Sequence, residues 1–333
     1  MTPQRAGHRI ELLGMEVDAV TEAEAIAHIL GALATGRGGW VATPNLDHLR
    51  QFVLSREVAK LYSQADLVVA DGMPIVWASK LAGTPLPARA AGSDLIWSLT
   101  AEANRRGRSV YFLGGAPGAC DKAAEVFRRN YPTLRVAGTH CPPHGFHARR
   151  GGLDDIRHRI REAAPDIVYV ALGFPKQERL IRLLRDEFPR TWFVGVGISF
   201  SFVTGEVQRA PDWLQKIGLE WAHRLLKEPR RLARRYLVHD LPFAARLGLY
   251  AVMRRLLFAF REPVKAAPPP VRQPKPLPFD SRVVFTHGRF ERQRAEALAG
   301  LLEQEDAASR RRSFSSPKAS SSVRPRAASR TLR

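Results

Sequence analysis

The chain has 333 residues, 45% of them apolar, enough to fill the core of one large or two ordinary domains, which excludes a wholly unfolded polypeptide. Its formal net charge of +20 would suggest nucleic acid or an anionic surface as partner, but the charge is unevenly placed: net +4 over residues 1–212, +7 over 213–263 and +9 over 264–333. Two cysteines, Cys120 and Cys141, with no CxxC spacing and no histidine in zinc-finger register, predict neither a disulfide framework nor a structural zinc site and fit a reducing cytoplasmic setting. No N-terminal stretch has the length of a signal peptide's apolar region, and no later one runs about 18 uncharged apolar residues, so the chain is expected neither to be secreted by the usual route nor to span a membrane.

The first strong pattern is TEAEAIAHILGALAT from Thr21, which has helical spacing with Thr21 and Glu24 placed for a capping box. Short β-rich runs then alternate with helical segments: GGWVAT (38–43), DLVVAD (66–71), SVYFLGG (109–115), LRVAGT (134–139), DIVYVALG (166–173) and TWFVGVG (191–197). That rhythm predicts βαβ units and an α/β body, a mostly parallel Rossmann-like sheet with helices on both faces, over residues 1–212. In open parallel sheets ligands bind beyond the carboxyl ends of the strands, so the residues at those ends are the first candidates for a site.

In chain order the strand ends supply the following groups. Thr43 and Asn45 follow the first run; Asn45 is well placed to cap the helix LDHLRQFVL, and both side chains could also orient a sugar or phosphate. Asp71 closes the second run before Gly72, either as the cap of a helix entered near Pro74 or as a general base at the rim of a cleft, and spacing alone does not choose. Arg89 precedes a helix start near Ser93, where a guanidinium facing a helix N-terminus could hold a diphosphate without a metal ion. Gly114 and Gly115 lie in FLGGAPGAC, a glycine loop without GxGxxG or GxxxxGK[ST] spacing and with no acidic residue ending the next strand, which argues against NAD or ATP but leaves room for close approach to a nucleotide phosphate or sugar.

His140, His144 and His147 are interleaved with prolines on an irregular stretch and do not make a metal site, and no DxD-type acidic pair ends a strand. No cofactor and no metal are therefore expected. The fifth run stops on Gly173 and turns through Pro175 into Lys176, Gln177 and Glu178, first-turn residues of a helix that the strand-end rule also places on a cleft wall.

After Pro211 the pattern becomes helical and rich in arginine. Arg224, Lys227, Arg230, Arg231, Arg234 and Arg235 crowd one stretch of residues 213–263, followed by LPFAARLGLYAVMRRLLFAF, whose Arg246, Arg254 and Arg255 argue against a membrane span. A solvated helical cap is one reading. The other is a basic appendage lying on an anionic membrane surface, with Arg224, Arg230, Arg231, Arg234 and Arg235 meeting headgroups. Residues 264–333, rich in Pro, Ser, Arg and Ala, read as a disordered tail. Because the body is nearly neutral, nucleic acid is not expected as a partner; a homo-oligomer is compatible with the sequence, which leaves the oligomeric state open.

Taken in order, TPNLDHL, ADLVVADGMPIVW, RAAGSDL, VYFLGGAPG, LGFPKQE, GVGISFSFVTGEVQRAPDWLQKIGLEWAHRL and EPRRLARRY resemble the WecG/TagA/CpsF glycosyltransferases, over roughly residues 10–240. The resemblance implies metal-independent, inverting transfer of a hexosyl unit (ManNAc-, glucose- or glucuronate-type) from a UDP-sugar to a saccharide carried on a polyprenyl diphosphate at the inner face of the cytoplasmic membrane. It implies Asp71 as base, Thr43 and Asn45 as polar neighbours, Arg89 as the cation beside the diphosphate and Gln177 as a substrate contact. CPPHGF stands where many members have a Gly-Tyr-Phe-like turn, a departure associated with exopolysaccharide-type members.

Overall fold

Six short apolar runs become six parallel strands. The computed structural model describes residues 8–146, 149–216 and 218–259. These belong to one compact unit, Met1–Ala266, and the tail expected from Val264 lies outside the described residues. An antiparallel hairpin opens the chain, β1 (Arg9–Leu12) and β2 (Met15–Asp18), which the sequence reading does not anticipate. The central strands are β3 (Gly39–Ala42), β4 (Leu67–Val68), β5 (Ser109–Gly114), β6 (Arg135–His140), β7 (Ile167–Ala171) and β8 (Trp192–Gly195), in the order β4-β3-β8-β7-β5-β6. Val41 pairs with both Leu67 and Val194, and Leu113 with Val170, so the strand ends stay level and all six carboxyl ends share one edge.

Because successive side chains in a strand face opposite sides, the sheet has two cores. Trp40, Val68, Tyr111, Leu113, Val168, Val170 and Phe193 face one way. Val41, Leu67, Val110, Phe112, Ile167, Tyr169, Trp192 and Val194 face the other. The first face is covered by α2 (Leu46–Leu54), α3 (Arg56–Tyr62), α4 (Met73–Leu81), α7 (Gly152–Ala163) and α8 (Lys176–Arg185), the second by α1 (Glu22–Ala34), α5 (Gly92–Arg105), α6 (Ala119–Asn130) and the short α9 (Ser199–Val203). The Thr21–Glu24 capping box forms in full: Thr21 Oγ1 accepts from the Glu24 N–H at 3.2 Å and Glu24 accepts from the Thr21 N–H at 2.8 Å.

The amino edge of the sheet is closed by carboxylates. Asp66, at the start of the run that ends in Asp71, accepts from the Trp40 N–H at 2.8 Å and pairs with Arg185 at 3.0 Å. Asp166 does the same for β7, accepting from the Ser109 N–H at 2.8 Å. Acidic residues at this edge thus satisfy backbone donors of the neighbouring strands.

The C-terminal part comprises α10 (Asp212–Lys216), α11 (Glu220–Lys227), α12 (Pro229–Ala233), a π-helical run Arg234–Asp240 and α13 (Leu241–Ala259). Helix α13 lies along α4 and inserts Phe243, Leu247 and Ala251 into the first core, while Leu249, Met253, Leu256 and Leu257 remain exposed. Among the described residues no helix is long and apolar enough to cross a membrane.

The sequence predicts no disulfide framework, and here the structure corrects it: Cys120 and Cys141 form a disulfide. The pairing has no spacing signal because it is made by the fold. Helix α6 begins just after β5, β6 is the neighbour of β5, and so Cys120 at the start of α6 meets Cys141 just beyond the end of β6.

Candidate active site

At the carboxyl edge the structure separates the two readings of Asp71. Helix α4 is preceded by Gly72, which takes φ +143, and no side chain caps its first turn. Asp71 is therefore not the helix cap; its own N–H donates to the Pro44 carbonyl at 2.8 Å, holding the turn after β4 against the turn after β3. Its carboxyl is pushed up to about 6, chiefly by burial, against the lowering effect of the Arg89 and Arg209 guanidiniums. Asn45 takes the capping role expected of it, accepting from the His48 N–H at 3.2 Å, and lies beside Gly72. Thr43 is buried and donates to the Gly195 carbonyl at 3.1 Å, tying β3 to the end of β8.

Arg89 does face the start of α5, but carboxylates already engage it. One nitrogen pairs with Asp94 at 2.8 Å and another with Glu220 of α11 at 3.3 Å. Arg209 meets the same two carboxylates from the other side, on Asp94 and, at 3.5 Å, on Glu220. Strand-end reasoning does not single out Asp94, Arg209 or Glu220. Arg89 and Glu220 are 131 positions apart and Arg209 and Asp94 are 115 apart, separations at which no local spacing rule operates.

Gln177 and Glu178, expected on a cleft wall, are both buried. The Gln177 amide oxygen accepts from the Gly197 N–H at 3.0 Å and its nitrogen donates to Glu178 at 2.9 Å. A Cβ at Gly195 would lie 2.8 Å from that nitrogen, so a side chain there would have to displace the Gln177 amide. Burial pushes the Glu178 carboxyl up to about 7. Gln177 thus shapes the β8 turn through hydrogen bonds, and Lys176, one position earlier, is exposed.

Lys176 faces a cleft of about 410 Å³ walled by residues 115–117, 142–146 and 171–173 and by Gly197, Ile198, Phe200 and Ser201. Gly115, Gly173 and Lys176 line it; Gly114 lies behind Gly115, packed against the end of β7. The predicted residues therefore divide into two groups along one edge, the Asp71, Asn45, Thr43 and Arg89 side over β3 and β4, and the glycine-lined cleft over β5 to β8. Gln177 stands at the join. His144 lines the cleft, His140 Nε2 lies 3.2 Å from an Asp155 oxygen, and His147 lies outside the described residues.

The arginines proposed to meet lipid fall in different places. Arg230 and Arg234 are exposed. Arg224 lies over the Phe202 ring at 5.5 Å, and Arg235 pairs with Asp47 at 3.3 Å and Asp240 at 3.5 Å. Arg231 is on α12.

Residues 10–257 match the Glycosyl transferase WecG/TagA/CpsF family. The chain is 34% identical over 205 residues, 61% of its length and 76% of the relative's, to the N-acetylglucosaminyldiphosphoundecaprenol N-acetyl-beta-D-mannosaminyltransferase of Bacillus spizizenii. It is 30% identical over 200 residues, 59% of its length and 75% of the relative's, to the Bacillus subtilis protein of the same name. A match across most of the described fold, with strand-end residues collected on one edge, makes this chain a member of the WecG/TagA/CpsF glycosyltransferase family.

Proposed function

We propose that this glycosyltransferase moves a hexosyl unit from a UDP-sugar to a saccharide carried on a polyprenyl diphosphate, in cell-surface polysaccharide biosynthesis, with inversion and without a metal ion. The N-acetylmannosaminyl unit in the relatives' names is the first candidate, with glucose and glucuronate units as the others. The observation that carries the reading is Asp71: a carboxyl on the ligand-binding edge, free of any capping role, with its pKa lifted to about 6. Near neutrality it is ionised, yet more basic than an ordinary carboxylate.

In this mechanism Asp71 takes the proton of the acceptor hydroxyl as that oxygen bonds to the anomeric carbon. The bond from that carbon to the diphosphate oxygen breaks on the opposite face, and UDP leaves with the electron pair. Arg89 offers a fixed cation to the growing negative charge, and the glycine-lined cleft beside Lys176 receives the donor. Loss of one such electrostatic contact commonly raises a barrier by about 2.7 to 4 kcal/mol. The protein would act peripherally on the inner face of the cytoplasmic membrane, where Arg230 and Arg234 stand with the exposed Leu237, Val238 and Leu241.

The test is transfer from UDP-ManNAc, UDP-glucose and UDP-glucuronate to a short-chain polyprenyl diphosphate saccharide, in excess chelator. The reading predicts that activity survives chelation, rises with pH through about 6, falls about a hundredfold or more in Arg89→Ala, and is nearly abolished in Asp71→Asn. Full activity in Asp71→Asn overturns the base, and loss of activity on chelation overturns the metal-free reading.

A further inference from the structure

Arg89 is the proposed cation of the leaving diphosphate, but its two carboxylate partners would by themselves turn its neighbourhood negative, the wrong sign for that role. The structure resolves this with a second guanidinium. Asp94 gives Oδ2 to Arg89 at 2.8 Å and Oδ1 to Arg209; Glu220 gives Oε2 to Arg89 at 3.3 Å and Oε1 to Arg209 at 3.5 Å. The four side chains form a closed ring of alternating charge, each carboxylate shared by both arginines. All four are largely enclosed, Arg209 at 16% and Arg89 at 18% exposure, where charges interact more strongly than in open solvent.

We infer that Arg209 is a positioning residue of the transfer reaction: by taking the far oxygens of Asp94 and Glu220 it fixes Arg89 beside Asp71 and cancels the negative charge that those carboxylates would otherwise place on the diphosphate side. The inference rests on the reading of Asp71 as base. Two features of a guanidinium are used separately. Its charge sets the balance of the ring; its planar head, hydrogen-bonded to Asp94 through Nη1 while Nε lies within ion-pair range of Glu220, sets the geometry, which a lysine ammonium does not reproduce.

Asp71 is the reporter. The charged groups acting on it are those of the ring, Arg89 and Arg209 favouring its ionised form and Asp94 and Glu220 opposing it; the Tyr62 phenol also faces it and is held protonated far above neutrality. Glu22 of α1 faces Asp94, Arg89 and Arg209, and burial raises its carboxyl too.

The experiment measures kcat/KM for the donor against pH in the full chain and in Arg209→Met, Arg209→Lys and Glu220→Gln, with folding checked by circular dichroism. The acidic limb of that profile reports the base in the free enzyme. Removing the cation in Arg209→Met should move the limb up, on the order of one pH unit, which is about a tenfold loss at pH values below it. Arg209→Lys should leave the limb with the wild type while kcat falls, because charge is kept and the bridge is lost. Glu220→Gln should move the limb down, a direction that general damage does not produce, and with Arg209→Lys it decides the matter if Arg209→Met does not fold. An unmoved limb in Arg209→Met or Glu220→Gln, or equal shifts in Arg209→Met and Arg209→Lys, overturns the inference. Retained activity in Asp71→Asn overturns the base assignment instead, so the two failures are distinct.

Discussion

Glu178 makes the fold's stability depend on pH in a direction opposite to the ordinary carboxylate. The residue is 2% exposed; Oε1 accepts from the Gln177 amide, and Oε2 has no hydrogen-bond partner among the described residues. Burial raises its pKa from an ordinary 4.5 to about 7. The unfolded chain therefore releases this proton near 4.5 while the folded chain keeps it until about 7. Across that window the folded state binds more protons than the unfolded state, so stability is full below 4.5 and declines as pH rises through 7. The decline is on the order of 3 kcal/mol. Glu178→Gln cannot ionise, and its carbonyl can still accept from Gln177. Urea denaturation of both proteins at pH 5, 6, 7 and 8, followed by tryptophan fluorescence, should show the variant gaining on the wild type as pH rises, by up to that amount. Taking the difference between the two proteins cancels the contributions of Asp71 and Asp240, which burial also raises to about 6. A difference that stays constant from pH 5 to 8 would mean that Glu178 does not titrate there and would refute the effect of its burial.

Two further outcomes follow from the cysteine pair and the basic surface. The disulfide closes a loop of sequence separation 21, for which chain entropy predicts about 3 kcal/mol of stabilisation, so reducing the oxidised protein should lower its melting temperature. The same reductant should leave Cys141→Ser unaffected, and equal melting with and without reductant in a sample free of titratable thiol would refute the pairing. On the membrane side, Arg230→Ala combined with Arg234→Ala should weaken sedimentation with anionic vesicles about thirtyfold, at roughly 1 kcal/mol per basic residue, and added salt should weaken the wild type in the same direction. Binding insensitive to both the substitutions and salt would refute an electrostatic contact at these two residues.

What could be read from the sequence, and what could not, is clearest in the run DLVVAD. Its apolar centre and its place among five similar runs are enough to predict a buried strand of a parallel sheet, and with that the edge on which ligands bind. Its two aspartates are the same residue type at opposite ends of one segment, and periodicity treats them alike. Folding places Asp66 at the amino edge, where the Trp40 N–H and Arg185 satisfy it, and Asp71 at the carboxyl edge, where burial and the charges of residues 89, 94, 209 and 220 set its proton affinity. The direction of the strand, legible from the βαβ rhythm, places Asp71 at the carboxyl edge. The magnitude of its shift was not legible, because the groups that set it arrive from a loop 18 residues on, from α5, and from chain more than 130 residues away. Gln177 shows the converse. Its place at a strand end put it on a cleft wall and the family resemblance made it a substrate-contact candidate; in the fold both ends of its amide are engaged, one by the Gly197 N–H and one by Glu178. Strand-end reasoning finds the edge where a site must lie. How each side chain on that edge is held depends on hydrogen-bond partners brought in from elsewhere in the chain: Thr43 and Gln177 are joined to β8 and its turn, while Asp71 has its backbone N–H joined to Pro44.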